Sequence, residues 1–408
     1  MTADAGVLMS GRGTLTADVG AGSGVSGRIL AVWGALFFNV LAVAQLPTVV
    51  PFPTTVGQLI TQGCLLVALV LALMANPRAI VRPNLFLVLL TILAVVSLLT
   101  SIHGSFLLGS TFRVCRLIGF VVVLWLLTPW WGRRDMLLLR CHLRCLWVVL
   151  GTVLVGAALA PGKAFSFGGR LSGAIWPLAP TQVAHFAAIV LGVSAVLWMC
   201  RVMSGRQALL TLLVVVPVLI ATHTRTAFVA MVAGLLVAGV SLFLGQARVR
   251  RTSALGGLAA VLAATLFAPE LTSWLVRGQS AEQVMNLTGR TVVWSAIYSQ
   301  PRATINQLFG SGLSNKSFNG LPVDSNWATT YLDQGWFGVS IAAAVLVLLL
   351  LMAATYRRGP QRAVALFITV YCIFSSFTET GLADASTYLL DLTVAASLLL
   401  PQARGSDR

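Results

Sequence analysis

Charge is scarce in this chain, and negative charge is the scarcest. Of 408 residues only 9% are charged, and 11 Asp and Glu face 27 Lys and Arg. A soluble domain is roughly a quarter charged, so a fold whose whole surface meets water is excluded. Other absences narrow the chemistry. The chain has no GxxxxGK[ST] phosphate loop, no HExxH zinc pair and no CxxC, so no nucleotide, metalloprotease or redox motif is available. Its six cysteines, Cys64, Cys115, Cys141, Cys145, Cys200 and Cys372, lie inside or at the ends of apolar runs. They suggest no disulfide framework and no metal cluster, although Cys141 and Cys145 stand one helical turn apart around His142. The net charge of +16 comes without any nucleic-acid-binding motif, so nucleic acid is not an expected partner. No short apolar core with a cleavage site precedes the first apolar run, so no removable signal peptide is expected. There is also no internal repeat of the kind transporters often carry.

What the chain has in excess is apolar surface, with 58% hydrophobic residues. Runs of roughly 16–22 apolar residues recur along it, long enough for helices that cross a bilayer and too long for barrel strands. The expected class is an all-α polytopic membrane protein. One transmembrane domain, 28–402, lies between a Gly-, Ser-, Thr- and Ala-rich tail, 1–27, expected to be disordered, and a short tail, 403–408. About twelve spans are read, at roughly 29–48, 57–75, 85–102, 114–131, 144–160, 180–199, 208–222, 226–245, 254–269, 328–355, 364–379 and 386–401. With the N-terminus in the cytoplasm, only Arg113, Arg116, Lys163, Arg170, Arg225, Arg277, Arg290, Arg302 and Lys316 of the 27 basic residues fall outside. The rest lie inside, which satisfies the positive-inside rule with both termini cytoplasmic. In that frame positive charge needs no partner beyond the lipid bilayer. Glu270, Glu282, Asp324, Asp333, Glu379 and Asp384 all fall outside, the last two in the acidic stretch "TETGLADAS". One large outer loop, 270–327, contains "AEQVMNLTGRTVVWSAIYSQ", which has helical spacing, and then the Gly-rich "FGSGLSNKSFNG". Long loops with their own helices are usually functional.

Arginines at this outer side are the candidates for chemistry. Arg225, in "ATHTRTAFVA", is expected at the start of a helix beside Thr222, Thr224 and Thr226, where free N–H groups and the helix dipole favour an anion. Snorkelling to headgroups is the plainer role for such a residue. Arg290 precedes a short amphipathic helix. Arg170, in "GGRLSGAIWPLAPTQ", follows glycines that allow close backbone approach. Arg113 and Arg116 share a helical face and suit a phosphate or a lipid headgroup. Asp333 is expected two turns into an apolar helix, where a carboxylate should be paired or functional. Asp324 is a general-base candidate or an ordinary loop acid or helix cap. His185 and His223 are further titratable candidates, more often structural.

The ordered set "RLSGAIWPLAPTQVAHFAAI", "ATHTRTAFVAMVAGLL", "LTGRTVVWSAIYSQPRATINQLFGSGL" and "DSNWATTYLDQGWFG" resembles the O-antigen ligase and Wzy-type polysaccharide polymerase superfamily. The likeness covers roughly residues 165–340. It implies a GT-C-like membrane glycosyltransferase of the bacterial cytoplasmic membrane that needs neither metal nor other cofactor. Such an enzyme moves a glycan from a polyprenyl diphosphate onto an acceptor glycan or lipid at the outer face, in company with other envelope-assembly proteins. Carried over, Arg170, Arg225 and Arg290 face the donor diphosphate, Arg113 and Arg116 supplement them, and Asp324 or Asp333 takes the acceptor proton. The ligases of the family place a histidine before an asparagine in the large loop. Here Asp324 and Ser325 hold that place when aligned on Asp333 and Gly335, while aligning on Asn326 shifts the frame by one. The difference favours a polymerase of another exported polysaccharide or a divergent ligase. Two other classes compete. A transporter or flippase of lipid-linked sugars needs polar groups at mid-membrane, for which Asn39, Gln45, His185 and Asp391 are the material. A non-catalytic subunit of an envelope-assembly machine is the third.

Overall fold

The computed structural model of the protein describes residues 22–51, 53–102, 107–243, 248–251, 265–267, 269, 273, 290–313, 317–318 and 320–401. Almost all of the expected ninth span (254–269), residues 1–21 and 402–408, the first part of the large loop, and Glu270, Arg277, Glu282 and Lys316 lie outside the described residues. The chain is mostly helical: α1 Gly22–Asn39, α2 Thr54–Ala75, α3 Leu85–Ile102, α4 Leu107–Leu127, α5 Leu137–Leu159, α6 Pro161–Ala164, α7 Pro180–Met199, α8 Gly205–Ala221 and α9 Arg225–Phe243. The large loop contributes α10 Arg290–Ser299, α11 Thr304–Phe309 and a small antiparallel pair, β1 Ser317–Phe318 and β2 Leu321–Pro322. It leads into α12 Asn326–Thr355, α13 Pro360–Ser375 and α14 Thr387–Leu399.

Apart from the ninth, each expected span overlaps a helix. Among the described residues, 7 helices are long and apolar enough to cross a membrane: α2, α3, α4 with its following turn, α5, α7, α9 and α12. The apolar α8, α13 and α14 are shorter. Leu66, Met74, Leu210, Leu236, Val240 and Leu351 are each at least 60% exposed. A belt of bare aliphatic side chains of this kind suits lipid and not water. The two short helices α13 and α14 are buried along nearly their whole length. They form the centre, with α7 and α9 against α13 and α5 against α14.

Several boundaries depart from the sequence reading: α4 begins at Leu107 and α5 at Leu137, each seven residues before the expected start, α13 ends at Ser375, and α1 departs at both ends. Helix α1 begins at Gly22, within the expected tail, because extending a helix from the apolar run 29–38 costs far less than nucleating one. The apolar run predicts a first span reaching residue 48, but α1 stops at Asn39 and the chain continues toward α2 without regular structure. Pro47, Pro51 and Pro53 withhold backbone donors there. Other groups take over the bonding. Ala44 N–H donates to Pro177 O (2.8 Å), Val49 N–H to Ala174 O (2.8 Å), and Lys163 Nζ to Thr48 O (2.8 Å).

Helix α12 is broken at Gly335, whose φ of 66° lies in the left-handed region. The break leaves carbonyls without helical donors, and the loop after α11 supplies them. Ser311 N–H reaches Leu332 O (3.1 Å) and Gly312 N–H reaches Asp333 O (3.0 Å). Leu313 N–H then bonds Ser101 Oγ on α3 (3.1 Å). Contact this close requires glycine on both sides: a Cβ at Gly335 would collide with Leu308 O, and one at Gly310 with Asp333 O. Substituting Gly335 with Ala should therefore undock the large loop. The backbone strain alone is of order 1–3 kcal/mol, and the collision adds to it. Gly239, where an added Cβ would meet nothing within 4 Å, serves as the control. The expected result is loss of monodisperse, detergent-extracted Gly335→Ala protein while Gly239→Ala behaves like wild type.

Candidate functional site

Charged side chains from distant parts of the sequence meet at the end of the bundle where the large loop docks. Arg170 sits in the loop after α6. Its Nε donates to Thr222 O (2.9 Å) and its Nη2 to Thr224 Oγ1 (3.0 Å). The loop is further fixed to the hairpin by Leu171 N–H to Ala221 O (2.9 Å). Arg225 is the next residue after Thr224 and the first of α9. The turn between α8 and α9 holds His223 at φ 48°, a conformation histidine tolerates better than most residues.

Arg290 opens α10. That helix is amphipathic: Ile297 is fully buried, and Val293 and Trp294 pack against the small cluster that includes Tyr331 and Leu332 of α12. Its start therefore stands beside the start of α12, and Arg290 Nη2 donates to Asp324 Oδ2 (3.3 Å). Asp324 is not the cap of α12. Ser325 is, with Ala328 N–H at 3.5 Å from its Oγ. This leaves the Asp324 carboxylate turned to the arginine.

The loop 376–386, between α13 and α14, closes the group. Asn326 holds it through Oδ1, which accepts from Leu382 N–H (2.8 Å), while its own N–H donates to Ser376 O (2.9 Å). Trp327 Nε1 adds a bond to Ser376 Oγ (3.0 Å). Glu379 is carried into the electrostatic reach of Arg290, Asp324 and Arg170. Burial pushes its carboxyl up to about 7, against the pull of Arg290 and Arg170 and with a push from Asp324. Burial also lowers the Arg170 guanidinium, with Arg290 acting the same way and Glu379 opposing it. An arginine remains charged in either case.

Glu379 also lines a cavity of about 890 Å³. Its lining is mixed: Arg116, Gln182, His185 and Asp384 are among the polar residues with Glu379, and the irregular segment Val40–Ala44, Leu59 and Phe112 are among the apolar ones. Leu59 is 73% and Phe112 56% exposed, so the cavity reaches the outside of the bundle.

The expected site residues thus fall into two groups. Arg170, Arg290 and Asp324 converge, with Arg225 next to the hairpin that holds Arg170. Arg113, Arg116 and Asp333 lie in a second cluster. Arg113 Nη2 is 2.9 Å from Asp384 Oδ2 and 3.7 Å from Asp333 Oδ2. Arg116 Nη2 donates to Asn39 O (3.2 Å) and Ala385 O (3.1 Å), which ties α4 to the end of α1 and to the acidic loop. Asp333 therefore has the pairing that its apolar surroundings demand. Sequence reasoning missed Glu379 as a site residue because the apolar run 364–379 takes it as its last member. Helix α13 in fact stops at Ser375.

A third polar group lies in the centre. Asp391 of α14 is fully buried, with Oδ1 2.7 Å from His142 Nε2 on α5 and Oδ2 2.9 Å from His185 Nε2 on α7. The second contact is close but lies off the hydrogen-bonding direction. Trp33 Nε1 stands 3.3 Å from His142 Nδ1. An indole N–H only donates, so Nδ1 is the acceptor, the His142 proton is on Nε2, and it is donated to Asp391. Tyr371 OH meets His185 Nδ1 at 3.1 Å. The network joins five helices.

Neither the protein-family models nor the curated proteins with which the chain was compared match it.

Removing Asp391 leaves His142 without its acceptor and His185 without its neighbouring carboxylate in an apolar core. Asp391→Ala should cost about 3–5 kcal/mol, the usual effect of stripping one partner from a buried polar pair. A large drop in the detergent unfolding temperature checks this. An unchanged unfolding temperature contradicts it.

Proposed function

We propose that this protein is a glycosyltransferase of the bacterial cytoplasmic membrane, with both termini in the cytoplasm and the large loop outside. It transfers a glycan from a polyprenyl diphosphate to an acceptor sugar for export, as the resemblance to O-antigen ligases and Wzy-type polymerases implies. One observation carries the reading. Arg170 and Arg290 gather with Asp324 around Glu379, which lines a cavity of mixed polar and apolar lining that reaches the outside of the bundle. An amphiphile whose headgroup is held by these arginines can reach them from the side of the bundle on which this mixed, outward-open cavity lies.

The chemistry follows from charge. Diphosphate leaves a sugar only if the negative charge that grows on it is neutralised, and enzymes do this with a metal ion or with arginine. The guanidinium fork matches phosphate oxygens in pairs and keeps its charge in a dry site. Arg170 is fixed by two of its donors to the hairpin, which leaves others for a ligand. Arg225 and Arg290, each the first residue of its helix, add the positive end of a helix dipole. A general base must take the acceptor proton, and the carboxylates Asp324 and Glu379 stand at the arginines. A transporter of lipid-linked sugars would need ionisable groups available at mid-membrane, whereas Asp391 and His142 are enclosed and hydrogen-bonded to each other.

Arg225→Ala and Arg290→Ala should each accumulate in the membrane at wild-type level. Each should lose about 3 kcal/mol of transition-state stabilisation, roughly a hundredfold in rate. Glycan analysis of a deletion strain carrying either variant should show short, unpolymerised units. Wild-type polymer from both variants would remove the proposal.

A further inference from the structure

The cluster holds more than one carboxylate, and their surroundings separate their roles. A general base needs a lone pair that is not already committed and a line to the hydroxyl it deprotonates. Asp324 accepts from Arg290 at 3.3 Å and does not line the cavity. Asp333 and Asp384 share Arg113, and Asp384 Oδ1 also takes the Ala385 N–H (2.8 Å). Asp391 is enclosed between two histidines. Glu379 has no ion pair within 4.0 Å among the described residues, and its side chain opens on the cavity.

The cavity that Glu379 lines also suits a saccharide. Gln58, Gln62, Gln182, Ser386 and Thr387 are among its other lining residues. Amides and hydroxyls of this kind exchange hydrogen bonds with sugar hydroxyls without adding charge. Arg116 is the one arginine or lysine in that lining among the described residues. The arginines suited to diphosphate, Arg170 and Arg290, do not line the cavity, but they lie within electrostatic reach of Glu379, which does.

We propose that Glu379, and not Asp324, removes the proton from an acceptor sugar hydroxyl bound in the cavity. The inference rests on the transferase reading given above. In the step, the acceptor O–H bond breaks and its proton passes to the Glu379 carboxylate. The freed oxygen pair forms the new bond to the anomeric carbon. The bond from that carbon to the diphosphate oxygen breaks, and its electron pair stays on the lipid diphosphate, which leaves with one more negative charge opposite the arginines. Glu379 then returns its proton to water. A base must begin ionised, so activity rises with pH through the ionisation of Glu379, which burial has moved to about 7. Arg290, Asp324 and Arg170 face it from α10, the start of α12 and the loop after α6, while Tyr388 of α14 and Tyr371 of α13 lie on the helices that flank its loop. Asp324 then positions Arg290.

The test uses the full-length protein in a deletion strain and in membrane vesicles from it. Glu379→Gln is the first variant, Glu379→Asp the second and Asp324→Asn the comparison. Wild type should restore polymer, and its rate should rise between about pH 6 and 8 in step with an ionisation near 7. Glu379→Gln should lose on the order of a hundredfold or more in rate while binding undecaprenyl diphosphate, the probe, as wild type does. Glu379→Asp should keep activity with the pH profile displaced. Asp324→Asn should keep the wild-type profile at lower rate. If wild type restores no glycan, the transferase reading itself fails. If wild type is active and Glu379→Gln matches it across pH, the base assignment fails and the transferase reading stands. If Glu379→Gln does not accumulate, an unmoved pH profile in Glu379→Asp overturns the assignment.

Discussion

Polar groups placed among apolar side chains must find their partners within the protein, and this constraint shapes the whole molecule. Water is absent from a bilayer interior, so an unsatisfied N–H, C=O or charge costs several kcal/mol there. The broken helix α12 persists because the loop after α11 donates to Leu332 O and Asp333 O. The irregular chain after α1 persists because Lys163, Pro177 and Ala174 bond it. Arg113, Asp333 and Asp384 tolerate their depth by pairing, and Asp391 by taking two histidines. Each irregularity is a place where the chain left the helical hydrogen-bond pattern and found substitutes, and the site is assembled from those places.

The same constraint explains how Arg170, Arg290 and Glu379 come together at one end. The loop that carries Arg170 also bonds the irregular chain after α1 through Ala174 and Pro177, and the loop that carries Glu379 is held at the start of α12 by Asn326. Asn326 is central to this arrangement. It holds the acidic loop at the start of α12, beside Asp324, while Gln334 reaches Ser97 Oγ (2.9 Å) and Ala383 O (3.1 Å) and fixes the far side of the same loop. Charged groups held in place by the fold stabilise a developing charge without having to reorganise when it forms, which is the property phosphate chemistry requires.

The helical class, the position of most helices and the first residues of α9 and α10 were legible because apolar periodicity and run length are local signals. So were Arg170, Arg225 and Arg290 as neighbours of glycines, threonines and helix starts. Other features were not. The end of α1 at Asn39 depends on bonds from Pro177, Ala174 and Lys163, far away in sequence, and an apolar run gives no sign of them. That Asp333 is paired or functional was legible from its apolar helix, but its partner Arg113 comes from another helix and was not. Glu379 looked like the frayed end of a span, and only the docking of its loop on Asn326 shows which charges it meets. What the sequence hides here is pairing between distant segments, because no local pattern records it.

The central claim is that the arginine group binds a lipid diphosphate, and direct binding tests it best. Purified protein in detergent is titrated with undecaprenyl diphosphate while its unfolding temperature is followed. A ligand that binds the folded state raises that temperature by mass action. The account predicts a saturable rise for wild type that is lost when Arg170 and Arg290 are both replaced by Ala, in protein that still unfolds cooperatively. An equal, saturable rise in the double variant would contradict it.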